Sequence, residues 1–356
     1  MITCVCTNER PDDWDVVLKQ AGTEANFLQS GFWADLICTL DEAIPHYIRI
    51  VDGSIVLAQA LFLQRWPYNR STKKKLSMMS GLECYDGPVI LQTEQVDEIV
   101  SFFIESSSSL AQQTKSTNTV IAFSHTSRWA NSSELQKLFK KHGFTAQKWG
   151  TALVDLTPDD DALFMSIAHA SRKCIKKCQR QDVHIETMKT YEEFQNDFMP
   201  NYNAMENAHG RPSANCTLSP PDDWGEYYTY FIAKSGDDVL GALAMFMFNG
   251  VATEIQSTMS PMAYEKKLPV QDLLHWELML EAKRLGCHTF DLAGFNPNPT
   301  DKKEAGIARF KGKWGGQAIE YTLFKKETLS IQGHLLRFAS RVKASAIARL
   351  RNIKSQ

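Results

Sequence analysis

The chain has 356 residues, 43% of them hydrophobic and 22% charged, with a formal net charge of -2. This fits a globular protein with a sizeable core and room for two units of ordinary size. No global basic field draws such a chain to DNA or RNA, so any grip on phosphate must come from a local patch.

The opening "MITCVCTNERPDDW" has neither a basic start nor an apolar segment, so a secretory signal is not expected. The longest apolar run, "VLGALAMFMF", is too short for a membrane span, and the expected location is cytoplasmic. The eight cysteines are scattered, and neither Cys4/Cys6 nor Cys174/Cys178 has a partner pair at zinc-site spacing. The nine histidines form no HxxxH pair, and no metal site is expected.

In chain order, "YIRIVDGSIVLAQALFLQ" from Tyr47 reads as strand, tight turn at Asp52-Gly53, strand. A strand-like "ECYDGPVI" follows, then a helix from about Thr93 to Gln113, a buried strand "TVIAFS", a helix from about Ser133 to Lys141, and a closing "LFKKHGFTAQKWGTALVDL". Next, Thr157 caps a helix with Pro158 at its first position. Leu163, Ile167, Cys174, Ile175 and Cys178 give this helix an apolar stripe. Its C-terminal half holds five cations within nine residues: Arg172, Lys173, Lys176, Lys177 and Arg180. That half is either a solvated face or a phosphate-facing patch.

The pattern then repeats. "YFIAKSGDDVLGALAMFMF" from Tyr230 is a second hairpin, turning at Gly236-Asp237. "VATEIQST", a helix from about Val270 to Leu285, the strand "HTFDLAG" and the closing "RFKGKWGGQAIEYTLF" complete it, so Phe310-Lys311 lines up with Phe139-Lys140. Matching order argues for two copies of one α/β unit, of α+β type with mixed sheets, split near residue 156. The expected division is 1–156, 157–326 and a tail, 327–356. Residues 328–356 hold six Lys/Arg and no Asp or Glu, with Leu335, Phe338, Val342, Ala346, Leu350 and Ile353 on one helical face. Such a basic amphipathic helix docks on a lipid surface or a partner, or packs on its own domains.

The stretch from Ser260 to Gly316 resembles the closing domain of the Fem family. Its features are a long helix with Trp276, the "FDLAG" strand end, and "GIARFK" followed by a glycine pair. "LQSGFW", "YDGPV" and "SRKCIKK" extend the likeness over most of residues 25 to 325. The resemblance implies two tandem GNAT-like acyltransferase domains. It implies a transferase that moves an acyl or aminoacyl group onto an amine of a peptidoglycan-type precursor, an acceptor that a tail docked at the inner face of the membrane would suit. The donor is aminoacyl-tRNA, presented by its acceptor end, or acyl-CoA; no cofactor is bound permanently. An acyl-CoA enzyme acting on an amino sugar or another small amine, and a non-catalytic binding protein, are the alternatives. "MAYEKKLPVQD", before the long helix, has no glycine, which departs from the CoA pyrophosphate loop. The long helical arm of some Fem enzymes is also missing.

Direct transfer needs a deprotonated amine, close positioning and a positive group at the developing oxyanion. By resemblance, Lys311 lies beside the reaction channel and Arg211 holds an acceptor phosphate. Lys313 reads as the solvated neighbour of Lys311. Asp291 and Glu254, at apparent strand ends, could accept the ammonium proton; Asp291 could instead orient the following loop. Tyr85 and Tyr264 read as cleft or packing aromatics, and Arg172, Lys173 and Lys176 as substrate-binding cations.

Overall fold

The computed structural model describes residues 1–69, 72, 74–77, 79–188, 190–208, 213 and 227–328. Arg211 and nearly all of the basic tail lie outside the described residues. The first half runs β1 (Ile2–Thr7), α1 (Trp14–Gln20), α2 (Gly31–Asp41), β2 (Ile44–Asp52), β3 (Ile55–Arg65), β4 (Gly81–Tyr85), β5 (Val89–Ile90), α3 (Val96–Gln113), β6 (Asn118–Ala122), α4 (Ser133–Lys141) and β7 (Thr145–Asp155). The second half runs α5 (Asp160–Ser166), α6 (His169–Gln179), β8 (His184–Met188), α7 (Met199–Ala208), β9 (Tyr228–Ser235), β10 (Asp238–Phe248), β11 (Val251–Met259), α8 (Pro261–Glu265), α9 (Val270–Arg284), β12 (Thr289–Phe295), α10 (Lys302–Gly312) and β13 (Gln317–Glu327).

Both expected hairpins form, β2–β3 and β9–β10, each turning through a glycine at positive φ, Gly53 at 60° and Gly236 at 56°. β3 and β10 are buried along nearly their whole length because helices or loops cover both faces. Ser132 caps α4 by accepting from Leu135 N at 3.2 Å, and Asp301 caps α10 by accepting from Glu304 N at 2.8 Å.

The strands join in one sheet, ordered β1-β2-β3-β4-β6-β13-β7-β12-β11-β10-β9-β8, with β5 paired to β3 off this path. The halves have exchanged their last strands. β13 pairs with β6 of the first half, and β7 pairs with β12 of the second. Their mutual antiparallel ladder, Gln317↔Leu153 to Lys325↔Thr145, is the axis about which the two halves repeat.

One core packs the second-half strands against α6 and α9, and another packs the first-half strands against α3 and α4. A third joins the halves on the opposite side of the second-half sheet. There Phe27 stacks on Phe246 with centroids 3.8 Å apart. Both rings are buried, each contributing about 1.5–3 kcal/mol on the scale of full burial.

Three local expectations are corrected. "ECYDGPVI" is not one strand: Asp86 at φ 57° and the cis Gly87-Pro88 bond separate β4 from β5. The helix placed at Thr93 begins at Val96. The single basic helix from Thr157 is two, with Asp159 as cap, accepting from Ala162 N at 2.8 Å, while Thr157 bonds to Asp155 instead. The break at Ile167 and Ala168 frees Ala168 N to donate to Lys313 O at 2.8 Å, tying this corner to the segment after α10.

Candidate active site

β11 and β12 run parallel, but their ladder holds only Val251↔Thr289, Ala252↔Phe290 and Thr253↔Asp291. Beyond it both strands depart from regular geometry. β11 carries Gln256 at φ 51°, and β12 shifts register against β7 between Asp291 and Gly294, with Ala293 at φ 60°. The corresponding pair in the first half, β4 and β6, stays joined from Gly81↔Asn118 to Tyr85↔Ala122, and Gly87 N closes its end on Ala122 O at 2.9 Å. The seam opens only in the second copy.

Lys311 fills that opening. It lies in the last turn of α10, not on a turn before the final strand, and is 8% exposed. Its ammonium donates to Leu292 O and, at 3.0 Å, to Gly294 O. Those carbonyls lie beyond the end of the β11 ladder. In the sibling motif the burial is reversed: Phe139 is buried and Lys140 exposed, whereas Phe310 is half-buried and Lys311 buried. Burial lowers the Lys311 pKa, while Glu254 and Asp291 act in the opposite direction. The structure therefore brings the three candidates Lys311, Asp291 and Glu254 together. Neither carboxylate is at a strand end as expected; they flank the point where the β11–β12 ladder stops. Strand alternation sends them to opposite faces, Asp291 with its partner Thr253 on one and Glu254 on the other.

On the α9 side, Glu254 Oε2 lies 3.2 Å from His275 Nε2, an ion-pair distance without hydrogen-bond geometry. Burial pushes the Glu254 carboxyl up, but His275 and then Lys311 outweigh it and hold it below the ordinary value. His275 Nδ1 sits 2.6 Å from Gln271 O and must be the donor, because a carbonyl only accepts. Its ring stacks on Trp314, with centroids 5.0 Å apart. Lys313 is not the solvated neighbour expected. It is half-buried, pairs with Asp272 at 2.9 Å and lies 3.9 Å over the Phe310 ring.

On the other face, Asp291 accepts from Thr151 Oγ1 and from Ala293 N at 2.8 Å, so it does orient the chain that follows. A cavity of about 80 Å³ opens here, lined by Asp291, Asp86, His125 and Tyr321 among others. Burial, then the Asp291 charge, pushes Asp86 up to about 8, and burial with Asp86 and Asp291 raises Tyr321. Tyr85, just before Asp86, is 36% exposed, its hydroxyl pushed up to about 12 by burial and then Glu83. Tyr264 is exposed on α8 and lines neither this cavity nor the groove below.

Arg172, Lys173 and Lys176 do share one place. With His169, Arg180, the apolar Phe164 and Met165 and one carboxylate, Asp161, they line an open groove of about 710 Å³ along α6. Arg172 donates to Met165 O at 2.6 Å, and Lys176 lies 5.6 Å over the Phe164 ring. Among the described residues no helix is long and apolar enough to cross a membrane.

Asp86, His125, His275 and Tyr321 were not singled out from sequence. Asp86 stood inside the "YDGPV" stretch, but Asp86, His125 and Tyr321 face Asp291 only because the halves exchange strands. Their spacing carries no signal of that. His275 had a weak signal, one helical turn after Gln271 on the long helix.

The two halves share one order of strands, and the parallel seam opens only in the second. No family model matches the sequence, and no curated protein matches it. Solved structures do share the fold. FemX superimposes with a TM-score of 0.65 at 13% identity, over 93% of this chain and 98% of its own. A tandem GNAT protein from the clavulanic acid biosynthesis pathway gives 0.59 at 9%, over 93% and 99%. The C-terminal domain of a putative lysylphosphatidylglycerol synthetase from Agrobacterium fabrum gives 0.55 at 13%, over 93% and 95%. The chain has a Fem-like tandem GNAT fold.

Proposed function

We propose that this chain is an acyltransferase moving an aminoacyl or acyl group from an activated ester or thioester to an amine of a cell-envelope precursor, by direct attack. The observation that carries this reading is Lys311, a buried cation set in an opened strand seam beside two carboxylates. A fixed ammonium in a dry site stabilises a developing oxyanion, and a carboxylate of the same site accepts the amine's proton. The likeness of fold to FemX and to a lysylphosphatidylglycerol synthetase domain supports the same chemistry.

Between donors, an aminoacyl ester is favoured over acyl-CoA. A CoA pyrophosphate needs free backbone N–H groups at the N-terminus of the long helix, here α9. Here that first turn carries Asp272, 7% exposed and paired to Lys313, and Pro269 stands at the cap. The groove along α6 supplies a place for a polyanionic donor such as a tRNA acceptor end, and Arg211 a grip on an acceptor phosphate. The division at residue 156 and a tail that meets the membrane from the cytoplasmic side complete the reading.

The test incubates the protein with an amine-bearing peptidoglycan precursor and either charged tRNA or a set of acyl-CoAs, and reads the product by mass. Product with charged tRNA is expected. Product formed only with acyl-CoA would reject the aminoacyl ester, and no product with either donor would reject the transferase.

A further inference from the structure

The cavity beside Asp291 is built from both halves. Asp86 reaches it from the turn after β4, held by Gln29, whose Nε2 donates to Tyr85 O at 2.6 Å and whose Oε1 accepts from Leu61 N at 2.7 Å. His125 enters from the loop after β6. Its side chain is 4% exposed, and Nε2 has no hydrogen-bond partner among the described residues; Asp291 Oδ2 is 3.7 Å away. The stacked Phe27 and Phe246 form the apolar wall.

Two carboxylates and an orphan imidazole nitrogen in one small space call for a cation. Among the described residues no group of three or more His, Cys, Asp or Glu is placed to hold a metal ion. A primary ammonium meets the requirement differently: it offers three donors, and the stem behind it packs on the phenyl rings.

We propose that this cavity is the subsite for the acceptor's primary ammonium, held between Asp86 and Asp291, and that Asp86 takes its proton. The role in transfer rests on the function proposed above. The ammonium gives a proton to the Asp86 carboxylate. The freed lone pair attacks the acyl carbonyl carbon, the C–N bond forms, and the C–O or C–S bond of the donor breaks. The proton lost from nitrogen leaves with the alcohol or thiol, and Asp86 returns its proton to solvent.

The experiment titrates the full chain with butylammonium chloride by calorimetry, with butanol as the neutral control and Asp237→Asn, at an exposed hairpin tip, as the control variant. Butylammonium is expected to bind wild type and Asp237→Asn alike, butanol to bind neither, and Asp86→Asn to lose about tenfold or more in affinity. Asn tolerates the positive φ at this position, and thermal melting checks the variant's fold. Independently of any variant, carbon-13 carboxyl shifts in wild type should show the Asp86 titration midpoint fall from about 8 when the amine binds. No binding to wild type, binding by Asp86→Asn within threefold, or an unmoved midpoint would overturn the subsite. Amine binding without transfer from any donor would leave the subsite and sink the transferase. Transfer with an unchanged rate and pH profile in Asp86→Asn would do the reverse.

Discussion

Replacing Lys311 by Met tests whether this buried lysine serves chemistry or architecture. Met keeps the stem that crosses the core and removes the ammonium. Two charge-assisted bonds, to Leu292 O and Gly294 O, disappear; each carbonyl left bare costs about 1–3 kcal/mol. Against that, the ammonium's own desolvation, several kcal/mol for a buried ion, is relieved. Neither neighbouring carboxylate is stranded, since Glu254 keeps His275 at 3.2 Å and Asp291 keeps Thr151 and Ala293 N. The net change in stability should therefore be small, within about 2 kcal/mol in either direction. Transfer should fall by about 10²–10³, the usual effect of removing one oxyanion donor. The pH dependence has a definite sign. Burial lowers the Lys311 pKa in the folded state, so the unfolded chain binds this proton more tightly. The cost of the charged lysine shrinks as pH rises from the lowered value towards its ordinary 10.5. Wild type should gain stability relative to Lys311→Met across that window. Chemical denaturation at several pH values, with a mass assay for product, measures both effects. A variant destabilised by more than about 4 kcal/mol would make Lys311 architectural, and one that transfers at the wild-type rate would remove it from the chemistry.

Further outcomes follow from the same geometry. Because Asp86 is raised to about 8, its contribution to stability is full below its ordinary 3.8 and lost as pH rises through about 8. Asp86→Asn should therefore become more stable relative to wild type over that range, by denaturant titration. Gly315→Ala should destabilise by roughly 2 kcal/mol or more, because φ is 75° and the new methyl would lie 2.7 Å from Ser166 O. A fall in melting temperature checks it. Gln29→Ala should cost roughly 2–4 kcal/mol by unpairing Leu61 N and Tyr85 O in the core. The pair Arg172→Glu and Lys176→Glu should weaken binding of charged tRNA and flatten its salt dependence, leaving the melting temperature within about a degree.

Much of the fold was legible because its parts are local. The two hairpins carry their own glycine turns. The α4 boundaries follow from Ser132 and the run to Lys141, and α9 begins after Pro269 and ends near Gly286. The duplication could be read from the order of such parts. What could not be read depends on long-range pairing. The exchange of β7 and β13 joins residues more than 160 apart, and nothing in "GTALVDL" or "AIEYTLF" marks either strand as leaving its own half. Leu163, Ile167 and Cys174 keep helical spacing, so the sequence predicts one continuous basic helix; the break at Ile167 answers to Lys313 O, a partner distant in sequence. Lys311, Asp291 and Glu254 came from the repeat and its resemblance. Spacing alone could not separate Lys311 from Lys140; the opened seam of the second copy does.

Product mass from wild type, Lys311→Met and Lys140→Met decides whether the buried lysine of the second copy drives transfer, each protein being given an amine-bearing precursor with charged tRNA and, separately, acyl-CoAs. The acceptor should be heavier by one aminoacyl or acyl group from wild type and from Lys140→Met, with the signal from Lys311→Met reduced by about a hundredfold or more. No product from wild type with either donor, or equal product from Lys311→Met, would contradict that role.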